Sequence, residues 1–269
     1  MAFLKYNDSP VILNNVFVKH YDEDLVTYMV GLTTPLSAYQ KDLLDNFVTT
    51  VKSGFSISRL YDAFDIMNIY AGETSESSLR NLVKRANDST TVSSPTFTAF
   101  EGFTGNGSTS YVTTNYTPSL HAVKYAQDDA NWSTYIRNNK TSAYIGIYND
   151  PYCTLLPWLY SAPYHTYWSI NDNTVSNRGF VGTSLGLWML NRTNSANRQL
   201  YRNTVQEHSY STASTGIPDT AMSLGGPWYK TYHQFAFNSA GRSLSTAERT
   251  VLKNAIEEYM DARGKGVIA

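Results

Sequence analysis

Residues 180–207, FVGTSLGLWMLNRTNSANRQLYRNTVQE, decide the fold class of this protein. An apolar run that ends at Asn191 is followed by a cluster of Asn, Thr and Ser and then by two further candidate strands, over 198–203 and 206–210. Short runs rich in large apolar residues and separated by turn-forming residues are typical of antiparallel strands. The stretch therefore predicts consecutive β-strands joined by tight turns.

The same pattern extends over most of the chain after residue 95. Further candidate strands cover 96–103, 111–116, 132–137, 143–148, 164–170, 221–224 and 230–237. No clear helix lies between them, which favours an antiparallel sandwich or barrel over βαβ units. A fixed short repeat, as in a β-helix, is absent from the sequence.

The segment before residue 94 has a different character. Residues 1–30 contain two short stretches of interleaved apolar and polar residues, around 11–18 and 25–30, which predict short strands or an extended arm. Between 31 and 93 the apolar spacing becomes helical, and three short helices are expected. The first starts at Ser37 and stops at Gly54, the second covers 58–70, and the third is capped at Thr74 or Ser75. The third helix is expected to point Arg80, Lys84 and Arg85 outward.

A last helix follows the strands. Ser245 and Glu248 form a capping box, and an apolar stripe runs from Val251 to Met260 before Gly264. The expected organisation is an extended arm over 1–30, a helical anchor subdomain over 31–93 and a β-sandwich with a C-terminal helix over 94–269.

Composition limits the classes of function. Charged residues make up 16% of the 269 residues and the formal net charge is −1, which does not suit a nucleic-acid-binding protein. No run of about 18 apolar residues exists, so no membrane span is expected. The N-terminus MAFLKYNDSP does not resemble a signal peptide, and we expect synthesis in a cytoplasm without export. A lone Cys153 excludes a multi-cysteine zinc site and is expected to be a small buried residue.

Catalytic and metal-binding patterns are weak. A glycoside hydrolase needs two carboxylates flanking the sugar bond, and such a pair can appear at alternate positions of one strand. No such pair occurs here, and most of the acidic residues fall in predicted turns. The acidic residues of the β region are Glu101, Asp128, Asp129, Asp150, Asp172, Glu207 and Asp219. The five histidines are scattered, without a G-x-S-x-G or H-E-x-x-H motif. Asn149-Asp150 and Asn171-Asp172-Asn173 could bind calcium through their side-chain oxygens, but Asn and Asp are equally expected there as turn-forming residues. We predict no catalytic residue, metal or cofactor.

Aromatic residues give the one candidate binding site. Residues 152–168 are dense in Tyr and Trp, and aromatic faces bind sugars. The glycan-binding candidates are Trp158, Tyr160, Tyr164 and Trp168, with a smaller cluster at Trp228, Tyr229 and Tyr232. The alternative is that these rings pack in the sandwich core or at a subunit interface.

Three phrases resemble laminin-G and concanavalin-like modules: FEGFTGNGSTSYVTTNYTPS over 100–119, the stretch over 180–207, and FAFNSAGRSLSTAERTVLKNAIEEYM over 235–260. The second phrase has Leu200, Tyr201 and Asn203 of an L-Y-x-N-G turn, with Thr204 in place of Gly. The third phrase, together with YDAFDIMNIYAGETSESSLRNLVKR over 61–85, is similar to tail-fibre, head-fibre and capsid-accessory proteins of tailed bacteriophages, in particular crAss-like and related phages of gut Bacteroidales.

The resemblance implies a concanavalin-like jelly roll in a non-enzymatic structural protein of the virion, assembled in the host cytoplasm. Its implied partners are other virion proteins and further copies of itself in a homo-oligomer, without nucleic acid or membrane. Two alternatives remain open, a host-glycan-binding adhesin and a polysaccharide hydrolase.

Overall fold

The computed structural model describes residues 12–13, 16–17, 19–140, 145–147, 152–156, 165–179, 182–226 and 230–268. The described chain is a concanavalin-like antiparallel β-sandwich with a helical layer on one side. Its helices are α1 (Glu23–Met29), α2 (Ala38–Phe55), α3 (Ser75–Leu79), α4 (Pro118–His121) and α5 (Thr246–Asp261). One turn of 3-10 helix covers Leu60–Asp62.

One sheet of the sandwich has eight strands in the order β15-β14-β13-β8-β17-β6-β5, with β3 paired to β17. These strands are β3 (Phe64–Ile69), β5 (Thr96–Thr98), β6 (Gly102–Thr104), β8 (Ala130–Ile136), β13 (Gly186–Arg192), β14 (Asn197–Arg202), β15 (Val205–Ser211) and β17 (Gln234–Gly241). All of the described pairings are antiparallel, as the stretch over 180–207 predicts.

The other sheet has seven strands in the order β12-β11-β10-β9-β16-β7-β4. They are β4 (Thr90–Val92), β7 (Tyr111–Thr113), β9 (Ile145–Ile147), β10 (Tyr152–Leu156), β11 (His165–Asp172), β12 (Ser176–Gly179) and β16 (Ser223–Leu224). A separate hairpin near the N-terminus pairs β1 (Ile12–Leu13) with β2 (Val16–Phe17).

The eight-stranded sheet is covered on both faces. Along β13, Trp188 and Leu190 pack in the cluster between the two sheets, whereas Leu187 and Met189 pack in the cluster under the helices. Successive side chains of a strand point to opposite faces, so a strand buried on both sides is mostly apolar, and its buried polar side chains, here Asn191 and Arg192, are hydrogen-bonded. This explains the apolar run that ends at Asn191 in the sequence.

Helices α2 and α5 form the outer layer, and α5 is the predicted C-terminal helix. Ser37 caps α2 through the backbone amide of Gln40, and Ser245 forms the predicted capping box with Glu248 at the start of α5. Gly54 does not stop α2, which ends at Phe55 with Ser56 in the left-handed region. A Cβ on Gly54 would lie 2.5 Å from the side chain of Val251, so this glycine allows the two helices to approach closely.

Two secondary-structure predictions near the N-terminus are wrong. The predicted helix over 58–70 is a short 3-10 turn followed by strand β3, whose six residues are all buried. Since β3 pairs with β17 inside the eight-stranded sheet, residues 31–93 are not a separate helical subdomain. Conversely, the predicted strand over 25–30 lies largely in helix α1, which begins after the N-cap Asp22.

The third predicted helix is present but short. Thr74 caps α3 as expected, and the helix ends at Leu79. Arg80 does not point outward: it is buried, and its guanidinium donates to the backbone carbonyls of Tyr28, Val30 and Gly31. This arginine thus ties α1 to the sandwich. Among the described residues, no helix is both long and apolar enough to cross a membrane.

Candidate interaction site

A β-bulge in strand β3 aims Asp65 at the loop that carries the candidate interaction surface. Ala240 of β17 pairs with Ile66, and the next residue, Gly241, pairs with Phe64, so that Asp65 lies between the two pairs. A bulge turns the side chain of its extra residue in a new direction. A Cβ on Gly241 would lie 2.1 Å from the carbonyl oxygen of Ala63, so the strands can approach this closely only because residue 241 has no side chain.

The carboxylate of Asp65 is buried and accepts hydrogen bonds from a single loop. Its Oδ1 accepts the backbone amides of Val123 and Lys124 at 2.9 and 3.0 Å, and its Oδ2 accepts the amide of Tyr125 at 2.8 Å. The hydroxyl of Tyr116 also donates to Oδ2, at 3.0 Å. Hydrogen bonds to an ionised group are among the stronger ones in proteins, so Asp65 fixes the backbone of this loop.

The loop held in this way covers residues 117–125, hereafter the 117–125 loop. It opens with α4, in which Pro118 occupies the first turn, and the backbone amide of Thr117 donates to Nδ1 of His121 at 2.9 Å. The buried rings of Tyr116 and Tyr125 flank it and belong to the core between the sheets. Both ends of the loop are therefore anchored in the sandwich.

Two aliphatic side chains project from this fixed backbone. Leu120 is 76% exposed and Val123 is 78% exposed, and we call this pair the aliphatic tip. Single exposed apolar residues are common on protein surfaces. Here two of them lie three residues apart on a loop whose backbone is held by a buried carboxylate, so the tip is a preformed apolar contact surface.

Sequence reasoning missed this site. Asp65 lay in a segment predicted to be helical, and the hydrogen bonds that matter join it to residues about sixty positions away. The only local signal was Thr117-Pro118, a combination that starts helices.

The structure locates one of the four glycan-binding candidates. Trp158, Tyr160 and Tyr164 lie outside the described residues, as do Trp228 and Tyr229.

Trp168, on β11, is 0% exposed. Its ring meets His208 edge-on with centroids 5.7 Å apart, and the guanidinium of Arg198 lies 5.0 Å from the ring centroid. The prediction of a glycan contact is wrong for Trp168, because its ring is enclosed in the core.

The Asn171-Asp172-Asn173 turn contains a buried ionic cluster. Asp172 lies 3.1 Å from Arg192 and 2.7 Å from Arg198, and all three side chains are fully enclosed. The guanidinium of Arg192 also donates to the carbonyls of Ile170 and Thr212. A buried charge is stable only when it is paired and hydrogen-bonded, and this cluster links β11 to β13 and β14. Oδ2 of Asp172 contacts both arginines and Oδ1 accepts the backbone amide of Thr174, which supports turn chemistry over calcium binding.

A serine and a histidine lie together in the interior. Nε2 of His233 lies 2.9 Å from Oγ of Ser184, and Nδ1 of His233 bonds the hydroxyl of Thr231. Burial lowers the pKa of His233 to about 3, so the ring is neutral. Ser184 also bonds to backbone groups of Asn138 and Lys140. The pair resembles a nucleophile and its base, but it is enclosed and joins three loops.

The acidic residues singled out in the β region hold backbone and side chains together. Glu101 bonds Lys265 and Arg137, and the hydrogen bond from Lys265 lowers its pKa. Glu207 pairs with Arg202 at 3.1 Å.

The remaining acidic residues of the β region differ in their hydrogen-bond partners and in their exposure. Asp128 accepts from the hydroxyl of Ser214, and Asp129 accepts from the backbone amide of Ser243. Asp219 is exposed, and Asp150 lies outside the described residues. Cys153 is buried as predicted, and burial raises the pKa of its thiol to about 12.

Comparison with known proteins shows the fold. No protein-family model matches the sequence, and a search of curated proteins finds no match. Among solved structures, the receptor-binding domain of the botulinum neurotoxin C/D mosaic serotype is similar, with 10% sequence identity and a TM-score of 0.51 over 72% of this chain and 52% of that chain.

Two further similar structures are a sialidase and a domain of an arabinanase. The Trypanosoma rangeli sialidase in complex with 2-keto-3-deoxy-D-glycero-D-galacto-2,3-difluoro-nononic acid is 11% identical, with a TM-score of 0.50 over 85% of this chain and 40% of that chain. Domain 4 of AbnA, a GH43 extracellular arabinanase from Geobacillus stearothermophilus, in complex with arabinotriose, is 9% identical, with a TM-score of 0.46 over 71% of this chain and 98% of that chain. The chain spans about half or less of the toxin and sialidase chains. At these identities the likeness to the toxin domain and to the sialidase shows a shared β-sandwich fold.

Proposed function

We propose that this chain is a non-enzymatic structural protein of a virus particle, in which the β-sandwich makes assembly contacts with neighbouring virion proteins. The observation that carries the proposal is the 117–125 loop, which presents Leu120 and Val123 to solvent while Asp65 binds the backbone amides of residues 123–125. A fixed apolar surface loses little conformational entropy when a partner covers it, which favours binding.

The interior supports the same interpretation. The Asp172, Arg192 and Arg198 cluster and the Ser184 and His233 pair use polar groups to join strands and loops. Groups of these kinds could serve catalysis in an accessible cleft, whereas here they are enclosed. They suit a rigid module that holds its shape while its surface is covered by neighbours. The proposal that the neighbours are those of a virus particle rests on the sequence resemblance to tailed-phage fibre and capsid-accessory proteins.

Mass spectrometry and immunogold labelling of purified particles of the encoding virus test the proposal. We expect the chain in stoichiometric amounts in particles that have been freed of host proteins, with label at a fixed place on the particle. Absence of the chain from such particles would overturn the proposal. Release of reducing sugar from host capsule by the purified chain would overturn its non-enzymatic part.

A further inference from the structure

A cleft between helices α2 and α5 complements the aliphatic tip. Its volume is about 200 Å³, and its surface is mainly apolar. The lining includes Leu43, Phe47, Ala255 and Tyr259, with Asn46 and Glu258 at the rim. An apolar cavity of about 150 Å³ holds a benzene molecule, so the cleft has room for an aliphatic side chain such as that of Leu120.

The residues that anchor the tip and the residues that line the cleft pack against opposite faces of the eight-stranded sheet. Tyr116 and Tyr125, which flank the 117–125 loop, belong to the core between the two sheets. Phe47 and Tyr259, which line the cleft, belong to the core between the helices and the other face of the eight-stranded sheet. The tip of one chain therefore cannot enter its own cleft, but it can enter the cleft of a second copy.

The charges next to the two surfaces have opposite signs. Lys124 follows Val123 directly in the loop, and its backbone amide is held by Asp65. Glu258 is exposed at the rim of the cleft. With the tip in the cleft of a second chain, a cation from one copy faces an anion from the other, and complementary charge favours this register over others.

We propose that the chain self-associates head to tail, with Leu120 and Val123 of one copy in the α2/α5 cleft of the next. A contact between two different surfaces leaves a free tip and a free cleft at the ends, so it extends into rings or filaments and does not stop at a dimer. The contact is small, and we expect a dissociation constant on the order of 100 μM for an isolated pair, with further strength from repetition in an array. This inference rests on the proposed function of the chain as an assembly protein of the virus particle.

Sedimentation velocity of the purified full chain over a range of concentrations tests the contact. We expect a concentration-dependent series of species, and at least tenfold weaker association for Leu120→Asp and for Val123→Asp. Both side chains are exposed, so these variants should keep the wild-type melting temperature, and Val205→Asp on the exposed edge strand β15 is the matched control. A chain that stays monomeric up to about 1 mM, or that associates equally well in the tip variants, would overturn the inference.

A charge exchange tests the pairing of tip and cleft. Lys124→Glu and Glu258→Lys should each weaken association, and the chain that carries both substitutions should associate like wild type, because every contact then regains one cation and one anion. If the double variant is no stronger than the single variants, Lys124 does not face Glu258 and the proposed register is wrong.

Disulfide trapping tests the head-to-tail geometry. The native Cys153 is buried, so an engineered surface thiol is the one that reacts. A mixture of the Leu120→Cys and Asn46→Cys chains should give mainly the mixed disulfide, whereas a two-fold contact through like surfaces would give mainly Leu120→Cys homodimers and would refute the inference. If the chain is present in purified particles but the purified chain does not self-associate, this inference is refuted and the proposed function stands.

Discussion

Asp65 and Tyr116 are joined by a hydrogen bond of 3.0 Å inside the sandwich, although 51 positions separate them in the chain. Burial raises the pKa of the Tyr116 hydroxyl, so this group stays protonated and donates over the ordinary pH range. The bond connects a bulge in the eight-stranded sheet to the start of the 117–125 loop. The position of the aliphatic tip relative to the sandwich is therefore fixed by core residues.

Replacing Asp65 with Asn should loosen the 117–125 loop. One carboxylate oxygen becomes an NH₂ group that faces backbone donors, and the loss of such charge-assisted bonds costs about 2 to 3 kcal/mol of unfolding free energy. Urea unfolding measures the loss, and hydrogen exchange should show faster exchange of the Val123, Lys124 and Tyr125 amides. Asp219→Asn, an exposed carboxylate, is the control. Unchanged exchange at these three amides would contradict the role assigned to Asp65.

The buried His233 should make the fold sensitive to acid. The pKa of His233 is about 3 in the folded chain and near 6.5 in an exposed histidine. Below pH 6.5 the unfolded state therefore binds a proton that the folded state does not, so stability falls as the pH drops from 6.5 toward 3. The loss from this group approaches about 1.4 kcal/mol per pH unit within that window.

Chemical unfolding at several pH values between 7 and 4 measures this dependence. His233→Gln should be less stable than wild type at pH 7, because it loses bonds to Ser184 and Thr231, and its stability should fall less steeply with acid. His20→Gln, at an exposed position, should keep the wild-type slope. Equal slopes in wild type and His233→Gln would show that His233 is not the group responsible.

Gly241→Ala tests the close approach of β17 to β3. The added Cβ would meet the backbone oxygen of Ala63 at 2.1 Å, and backbone cannot move aside as a flexible side chain can. Overpacking of this kind costs about 2 to 3 kcal/mol. Gly264→Ala is the matched control, since its Cβ meets open space and only its positive φ is unfavourable, at about 1 kcal/mol. Thermal and urea unfolding should rank the two variants in this order, and the reverse order would count against the bulge geometry.

Trp168→Ala separates a core residue from a glycan contact. Removal of a fully buried tryptophan leaves a cavity and should cost about 4 kcal/mol of unfolding free energy. Tyr232→Ala removes an aromatic ring that is largely exposed and should change stability by less than about 0.5 kcal/mol. Wild-type stability in Trp168→Ala would mean that this ring is not part of the core.

Predictions from sequence succeeded where the signal was local. The serine caps at Ser37 and Ser245 use a side chain to bind an amide three residues ahead, and both helices begin where the caps predict. The strands over 186–211 also follow from local alternation of apolar runs and turns. The predicted helix over 58–70 failed because β3 is buried on both faces, so apolar residues occur on both faces of the strand and some of them also fall at helical spacing.

The sequence by itself determined the antiparallel β-sandwich and the two long capped helices, since strand period, turn composition and caps are properties of neighbouring residues. Only the tertiary structure decided that β3 lies in the sheet, that Trp168 is enclosed, and that Asp65 binds the backbone amides of residues 123–125. The physical reason is that burial and hydrogen bonding join residues far apart in the chain, and no local pattern records which carboxylate will meet which amide.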